Sequence, residues 1–184
     1  RSRRQRQMCI RDRDGKKLNR VYNTALITGG GVHKGYDKIH TYDAFNYKES
    51  DTVRAGGELV TFVHDGVTVG VATCFDIRFP EQFQQLAQRG AKVVVVPTSW
   101  ADGPGKVGQW HILTAARALD AGVFIAAADQ ARPDFEAKAG EPSGPTGAGH
   151  SVVVDPFGTR LAEAGYGPET LVVEIDPTDA DEAR

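Results

Sequence analysis

The stretch GVATCFDIRFPE, residues 70–81, places a single cysteine between an apolar run and a charged segment that contains a proline. The β-branched residues before Cys74 predict a buried strand. PEQFQQLAQRG after it predicts a helix with Pro80 in its first turn and Gly90 after its end. Cys74 therefore lies where a strand passes into a helix. A cysteine at the end of a buried strand is most often a packing residue, so the position alone is a weak functional signal.

The rest of the chain alternates between strand-like and helix-like segments. Two β-branched runs flank Asp65-Gly66, which predicts a hairpin, and QWHILTAARALDAG (109–122) has the apolar spacing of a helix. Further strands are predicted in NRVYNTALIT (19–28), VVVVP (93–97), VFIAAAD (123–129), SVVVDPFGTRLAEAG (151–165, two strands about a turn) and TLVVEI (170–175). The continuous apolar run VVVVP is typical of a strand covered on both faces. With no repeat and no internal linker, the sequence predicts one α/β domain.

The composition is that of an ordinary globular chain. At 184 residues, with 40% hydrophobic and 25% charged residues, it is long enough for one domain with a sizeable core. A formal net charge of -2 gives no reason to expect nucleic acid or a membrane surface as a partner. No apolar run approaches the roughly 20 residues of a membrane span. Two cysteines argue against a disulfide framework and suit a reducing cytosol, so we expect a cytoplasmic protein.

The two ends of the chain differ from the rest. RSRRQRQMCIRDR, residues 1–13, is rich in arginine and has no apolar periodicity, and Met8 is the chain's only methionine. We interpret this segment as not being natural protein, with a basic disordered arm as the alternative. On neither interpretation is Cys9 a functional candidate. Because the chain stops in what reads as the first turn of another element, we expect residues 14–184 to be part of a longer protein.

Several residues near the predicted elbow suit a nucleophile. A thiolate attacks a carbonyl or nitrile carbon when a neighbour lowers its pKa or removes its proton. A helix N-terminus after Cys74 provides partial positive charge, and the N–H of Phe75 is placed to donate to an oxyanion. Lys38 and Glu49 lie in the long polar segment from Tyr36 to Glu58, and a long loop in a compact domain is usually functional. A lysine beside a thiol lowers the thiol pKa and stabilises a tetrahedral oxyanion.

The order of these motifs resembles the nitrilase superfamily of carbon–nitrogen hydrolases, and most closely its branch of Nit-type omega-amidases and aliphatic amidases. The resemblance runs from about Val21 to the C-terminus and is carried by YDKIH (36–40), ESD (49–51), GVATCFDIRFPE, VVVVPTSW (93–100), QWHILTAARALDAG and GAGHS (147–151). It implies an α/β fold, an α-β-β-α sandwich that is incomplete at the N-terminus here, so that residues 14–184 form a partial carbon–nitrogen hydrolase domain. It also implies a homodimer for the full-length parent, formed through the helices, and neither a metal nor an organic cofactor.

The same resemblance implies roles for individual residues. Cys74 would be the nucleophile that forms a thioester, Lys38 would stabilise the tetrahedral intermediate, and Glu49 would position Lys38 and the substrate. Arg78 and Glu81 would orient the elbow by charge pairing. The residues expected to shape the substrate pocket are Phe75, Arg78, Thr98, Ser99, Trp100 and His150. We expect the substrate to be a small amide, hydrolysed with water, and our leading hypothesis is a dicarboxylic acid monoamide.

One part of the implied machinery is missing. The family's general base is a glutamate several dozen residues before the lysine, whereas Glu49 is the first glutamate of this sequence. The acids before Lys38 are Asp12, Asp14 and Asp37, and none lies in a matching motif. Since general acid–base assistance typically contributes about 10²–10⁴-fold, we expect the chain expressed alone to be insoluble or inactive.

Three alternatives remain open. The first is a Cys–His enzyme of another fold that uses one of His33, His40, His64, His111 or His150, although none follows an order that we can link to a Cys–His triad. The second is a catalytically silent member of the superfamily that serves as a binding domain. The third is a nitrilase or carbamoylase of the same superfamily. Metal binding is a weaker hypothesis, because the histidines and carboxylates show no ligand spacing.

Overall fold

The computed structural model describes residues 10–11, 17–18, 20–44 and 47–184. Of the segment 1–13 it therefore includes only Ile10 and Arg11, and the interpretation of this segment stays a prediction. Cys9, Asp12 and Asp14 lie outside the described residues.

Twelve strands and three helices form in the described part of the chain. The strands are β1 Ile10–Arg11, β2 Lys17–Leu18, β3 Thr24–Gly29, β4 Val32–Asp37, β5 Asp43–Ala44, β6 Tyr47–Lys48, β7 Thr61–His64, β8 Val67–Val71, β9 Val93–Thr98, β10 Phe124–Asp129, β11 Val152–Val154 and β12 Arg160–Glu163. The helices are α1 Pro80–Gln88, α2 Lys106–Ala121 and α3 Asp179–Glu182. Short 3-10 turns span Glu49–Asp51, Cys74–Arg78 and Phe135–Lys138.

Six of the strands form one mixed sheet in the order β12-β11-β10-β9-β8-β7. The central strands β8, β9 and β10 are parallel, and α1 and α2 make the two crossovers between them. The hairpin predicted around Asp65-Gly66 is confirmed as β7–β8, and both turn residues have positive φ, 48° and 79°. Strands β3 and β4 pair in a separate antiparallel hairpin. The predicted α/β class is confirmed.

The helices cover one face of the six-stranded sheet. Val94 and Val96 in β9 and Ile125 in β10 are fully buried in the core that this face shares with the helices. The helical residues of the same core are Phe83, Leu86, Ala87, Trp110, Ala118 and Ala121. On the opposite face Val93 and Val95 are only partly buried. The expectation that VVVVP is covered on both faces is therefore wrong for the described residues, because the helices lie on one face only.

The last strand predicted from the sequence, TLVVEI, does not form in the structure. TLVVEI keeps its two-residue alternation, with partly buried and exposed side chains in turn, and Val172 is 90% exposed. Within the described residues no strand pairs with this segment, so it forms no ladder. The side-chain pattern was interpreted correctly, but a strand also needs a backbone partner, and that is a long-range property.

In the parts of the chain that the structure describes, none of the helices is both long and apolar enough to cross a membrane.

The GAGHS segment closes the end of the sheet nearest Cys74. Gly147 donates its backbone N–H to the Trp100 carbonyl oxygen at 3.1 Å, and Gly149 donates to Gln130 at 2.9 Å. Gly147 has φ +101°, and a Cβ there would overlap the backbone carbonyl of Gln130. Only glycine meets both conditions at a low cost. The motif is therefore a close backbone contact that holds the loops following β9 and β10 together.

We expect Gly147→Ala to lower the free energy of unfolding by more than about 2 kcal/mol, because it adds left-handed strain to a backbone overlap. Gly144→Ala is the matched control, since Gly144 lies in the same loop with open space around it and no positive φ. Urea denaturation of the two variants measures the difference. Equal stabilities would show that the close approach does not constrain this loop.

Candidate active site

Cys74 lies at a strained turn after β8. It is the first residue of the 3-10 turn Cys74–Arg78 and has φ +49°, a conformation that costs an L-residue with a Cβ roughly 1–2 kcal/mol. Its Sγ is 3.8 Å from the carbonyl oxygen of Ser99, which follows β9. Strain of this kind persists only where the surroundings enforce it, and it is frequent at functional sites.

The carboxylate of Asp76 enforces this turn. It is completely buried, and its Oδ2 accepts hydrogen bonds from the Thr73 N–H at 2.7 Å and the Tyr36 hydroxyl at 2.6 Å. Its Oδ1 accepts the His40 N–H at 3.0 Å and lies 2.9 Å from His40 Nδ1. Burial, followed by the negative charge of Asp76, raises the pKa of Tyr36, so the phenol stays a neutral donor. Asp76 thus fastens the end of β4 to the Cys74 turn.

The hydrogen bonds of Asp76 bring a buried ion pair close to the cysteine. Lys38 Nζ lies 2.6 Å from Glu49 Oε2, and the two residues are only 3% and 8% exposed. Glu49 also accepts the Tyr42 N–H at 2.6 Å and an N–H of the Asn23 amide at 3.3 Å. A buried charge is tolerated when it is paired and hydrogen-bonded in this way. Lys38 is therefore held in one position by a carboxylate that is itself held.

Cys74 and this ion pair line one cleft of about 360 Å³. Eight of the residues predicted for the site line it: Lys38, Glu49, Cys74, Phe75, Arg78, Thr98, Ser99 and Trp100. The lining is completed by Asn23, Tyr42, Tyr47, Thr73, Pro97, Ala101, Lys106 and Pro145. His150 is not part of the described lining. The cleft thus assembles residues from five separated stretches of the sequence.

The environment of Cys74 decides its protonation. Burial raises the pKa of the thiol, and the negative charges of Asp129 and Glu49 raise it further, while the positive charge of Lys38 lowers it. Because burial is the largest of these effects, the thiol is protonated at neutral pH. Chemistry at Cys74 therefore requires a group that removes the proton as the substrate is attacked.

The side-chain contacts of Arg78 differ from those expected from the sequence. Its Nη2 donates to Gln109 Oε1 at 2.8 Å, and its guanidinium lies 5.2 Å from the centroid of the Trp100 ring. Within the described residues it makes no ion pair with Glu81, so the expected charge pairing is wrong. The guanidinium faces α2 and the cleft because Gln109 and Trp100 hold it there.

His150 belongs to a different cluster. Its Nδ1 lies 2.7 Å from Glu163 Oε1, and His111 Nε2 lies 2.6 Å from the same oxygen. These donor atoms are close enough together to be considered as metal ligands. However, zinc stands about 2.0–2.2 Å from each nitrogen or oxygen ligand in a tetrahedral site, which holds the ligands farther apart than these contacts. The cluster therefore fits direct hydrogen bonds better than a metal centre.

The remaining histidines do not approach the thiol either. His33 and His64 are exposed, and His40 pairs with Asp76 while its ring stacks on Phe79. Among the described residues that line the cleft, none is a histidine. The geometry accordingly disfavours the Cys–His alternative.

Asp129 is a residue that the sequence analysis missed. It ends β10, is buried, and accepts the backbone N–H groups of Trp100 at 2.7 Å and Ala148 at 3.0 Å. Burial raises the pKa of Asp129 to about 7, although these N–H groups oppose the shift. A carboxylate at a strand end gives no distinctive sequence signal, because its partners come from loops far along the chain.

Comparison with known proteins identifies the family of this chain. The family described as carbon–nitrogen hydrolase matches residues 7–184. A hydrolase of Mycobacterium tuberculosis is 46% identical over 171 residues, which is 90% of this chain and 61% of the relative. A deaminated glutathione amidase of Escherichia coli O157:H7 is 36% identical (86% and 56% covered), and an omega-amidase of Saccharomyces cerevisiae is 32% identical (88% and 55%). The chain belongs to the carbon–nitrogen hydrolase family, and it spans just over half the length of these curated relatives.

Solved structures show the same relationship. The crystal structure of Nit3 from Saccharomyces cerevisiae, a member of branch 10 of the nitrilase superfamily, matches with a TM-score of 0.74 and 31% identity, covering 89% of this chain and 56% of that one. A glutamate-to-leucine mutant of an amidase from Nesterenkonia sp. AN1 matches with a TM-score of 0.65 and 31% identity (82% and 53% covered). That mutant shows covalent addition of the acetamide moiety of fluoroacetamide at its active-site cysteine.

The raised pKa of Asp129 predicts a pH dependence of stability. The folded protein holds this proton up to about pH 7, whereas an unfolded chain releases it near pH 4. Between these values the folded state binds more protons, so the free energy of unfolding falls as the pH rises. We expect a loss of about 2 kcal/mol between pH 5 and pH 7, measured by urea denaturation.

The control for this measurement is Asp129→Asn. It is less stable at every pH, because an amide cannot accept both backbone N–H groups, but it lacks the part of the slope that Asp129 causes. The same slope in both proteins would assign the pH dependence to other groups.

Proposed function

We propose that this chain provides the nucleophile and the electrostatic part of an active site that hydrolyses the carbon–nitrogen bond of a small amide and releases ammonia. The observation that supports this most directly is the placement of a strained Cys74 and a buried Lys38–Glu49 pair around one cleft. Amidases among the relatives support the reaction class, and the omega-amidase name supports a dicarboxylic acid monoamide as the leading substrate hypothesis.

The proposed reaction has two halves. Cys74 Sγ attacks the amide carbonyl carbon while its proton passes to a base, and the resulting oxyanion is stabilised by Lys38 and the Phe75 N–H. The carbon–nitrogen bond then breaks, the nitrogen takes up the proton and leaves as ammonia, and a thioester remains on Cys74. Water attacks the thioester, which releases the carboxylic acid and restores the thiol.

The general base is the catalytic group that this sequence does not supply in the expected place. No glutamate precedes Lys38. Glu49 already accepts hydrogen bonds from Lys38, Asn23 and Tyr42, which makes it a positioning group and a poor proton acceptor. We therefore propose that the chain alone binds and positions an amide but turns it over slowly.

A silent binding domain of the same superfamily is the second candidate. The raised pKa of Cys74 is the observation behind it, because a protonated thiol attacks a carbonyl slowly unless a base removes its proton. A nitrilase or carbamoylase would use the same cleft and differ only in the substrate, so the choice among these enzymes rests on which compound releases ammonia.

The homodimer and the cytoplasmic location remain predictions. Ile112 and Leu119 lie about two turns apart on the outward side of α2. Their exposed fractions are 70% and 59%. This apolar strip on the helical face supports the expected dimer contact.

We expect fluoroacetamide to add one acetamide group to Cys74 of the 184-residue chain faster than to Cys9, because the cleft positions the reagent against a thiol near Lys38. Peptide mass spectrometry after timed exposure measures both rates. Cys9 is thus an internal control, and unfolding in urea is expected to make the two rates equal. Labelling of both cysteines at the same rate in the native chain would contradict the nucleophile assignment.

If the general base is missing, the chain alone turns over an amide more slowly than a chain to which that base has been added. A chimera that places the part of the Mycobacterium tuberculosis hydrolase preceding its matched region before residue 14 is expected to release ammonia from succinamate about 10²–10⁴ times faster than the chain alone. Cys74→Ala in the chimera removes ammonia release altogether. Equal turnover by the chain and the chimera would overturn the proposal that the base is absent.

A further inference from the structure

Three residues that belong to neighbouring parallel strands meet at one edge of the sheet. Cys74 follows β8, Ser99 follows β9, and Asp129 ends β10. Since β8 and β10 both pair with β9 in parallel, their carboxyl ends lie at the same edge. The middle strand therefore places the peptide group that joins Ser99 to Trp100 between the thiol of Cys74 and the carboxylate of Asp129.

This peptide group connects the two side chains. Its N–H, which belongs to Trp100, donates to Asp129 Oδ1 at 2.7 Å. Its carbonyl oxygen, which belongs to Ser99, lies 3.8 Å from Cys74 Sγ and accepts the thiol S–H. The peptide bond is trans, so its N–H and C=O point in opposite directions. One peptide plane thus completes a continuous chain of hydrogen bonds from the carboxylate to the thiol.

The carboxylate of Asp129 is held in the orientation that this chain requires. Its Oδ2 accepts the Ala148 N–H at 3.0 Å, and the residue is only 8% exposed. The backbone of Asp129 is held as well, because its N–H donates to Ser151 Oγ at 3.0 Å and its carbonyl oxygen accepts the Ser151 hydroxyl at 3.1 Å. The carboxylate therefore cannot turn away from the Trp100 N–H without losing the bond to Ala148.

The charge of Asp129 acts at the far end of the chain. Hydrogen bonds in series polarise one another, so a carboxylate beside the Trp100 N–H makes the Ser99 carbonyl oxygen a stronger acceptor. A thiol is a weak donor, and the orientation of its S–H depends on the strength of the acceptor that it meets. The thiol keeps its proton while Asp129 ionises, because burial raises the pKa of Cys74 above its usual value.

We propose that Asp129 is a positioning residue for Cys74, whose carboxylate orients the thiol through the Ser99–Trp100 peptide and so fixes how the sulfur faces the cleft. This inference rests on the proposed function and deepens it, because it names a residue that acts on the nucleophile from outside the cleft. Asp129 is not among the described residues that line the cleft, so its effect reaches the substrate only through Cys74.

The S–H stretching band in the infrared tests this chain directly, because a stronger S–H···O bond lowers its frequency. The chain has two cysteines, so Cys9→Ser leaves Cys74 as the single source of the band. Burial raises the pKa of Asp129 to about 7. Below this pH the neutral carboxyl is the weaker acceptor for the Trp100 N–H, and above it the carboxylate is the stronger one. We therefore expect the band to move to lower frequency as the pH rises through about 7.

Two variants assign this shift to Asp129. The other charged groups that act on the two ends of the chain or lie close to it are Lys38, Glu49, Asp102, Arg132 and His150. Asp129→Asn leaves all of these in place but removes the charge, so we expect the band to stay at the higher frequency at every pH. Asp65→Asn is the control, since it removes an exposed carboxylate from the turn at the other end of β8 and is expected to keep the shift.

A band that does not move with pH in the Cys9→Ser chain overturns the inference, and this measurement does not depend on the stability of any Asp129 variant. A shift that persists in Asp129→Asn also overturns it, since the titrating group would then be another residue.

Failure of the proposed function gives a different result. If fluoroacetamide labels Cys74 and Cys9 at the same rate but the band follows Asp129, the carboxylate orients a thiol that is not a nucleophile, and the proposed function alone is wrong. If Cys74 is labelled selectively and the band does not respond to Asp129, the nucleophile stands and the role of Asp129 is wrong.

Discussion

The buried carboxylate of Asp76 is the contact on which the arrangement of the site depends. Its two oxygens accept hydrogen bonds from the Thr73 N–H, the Tyr36 hydroxyl and the His40 N–H, so one side chain joins the β3–β4 hairpin to the turn that carries Cys74. Lys38 follows β4 and Cys74 follows β8, which belong to separate sheets, so this join helps to fix the distance between the two residues. The backbone strain at Cys74, where φ is +49°, is tolerated because the Asp76 carboxylate holds the turn in place.

Burial shapes the chemistry of this cleft in two opposing ways. It strengthens the Lys38–Glu49 pair, since charges interact more strongly away from water. It also raises the pKa of Cys74 and so keeps the thiol in its unreactive form at rest. The two effects fit a nucleophile that is activated only when a base and a substrate are present together.

Much of the local structure could be predicted from the sequence. The strand, elbow and helix around Cys74, the hairpin at Asp65-Gly66 and the helix that contains Trp110 all follow from periodicity and turn residues, which act over a few positions. TLVVEI shows the limit of this reasoning, because its alternation is present but no described strand pairs with it. Pairing requires a partner that periodicity does not specify.

The same distinction holds for the site. Cys74, Lys38 and Glu49 lie in motifs that resemble a known family, so the sequence alone predicted that these three side chains carry the chemistry, and the structure places them in one cleft. The tertiary structure alone decided that Lys106 enters the cleft and that His150 instead pairs with Glu163. The physical reason is that burial and net charge at a site are set by contacts between segments distant in sequence. A local pattern therefore predicts a nucleophile, but only the fold determines which charges surround it.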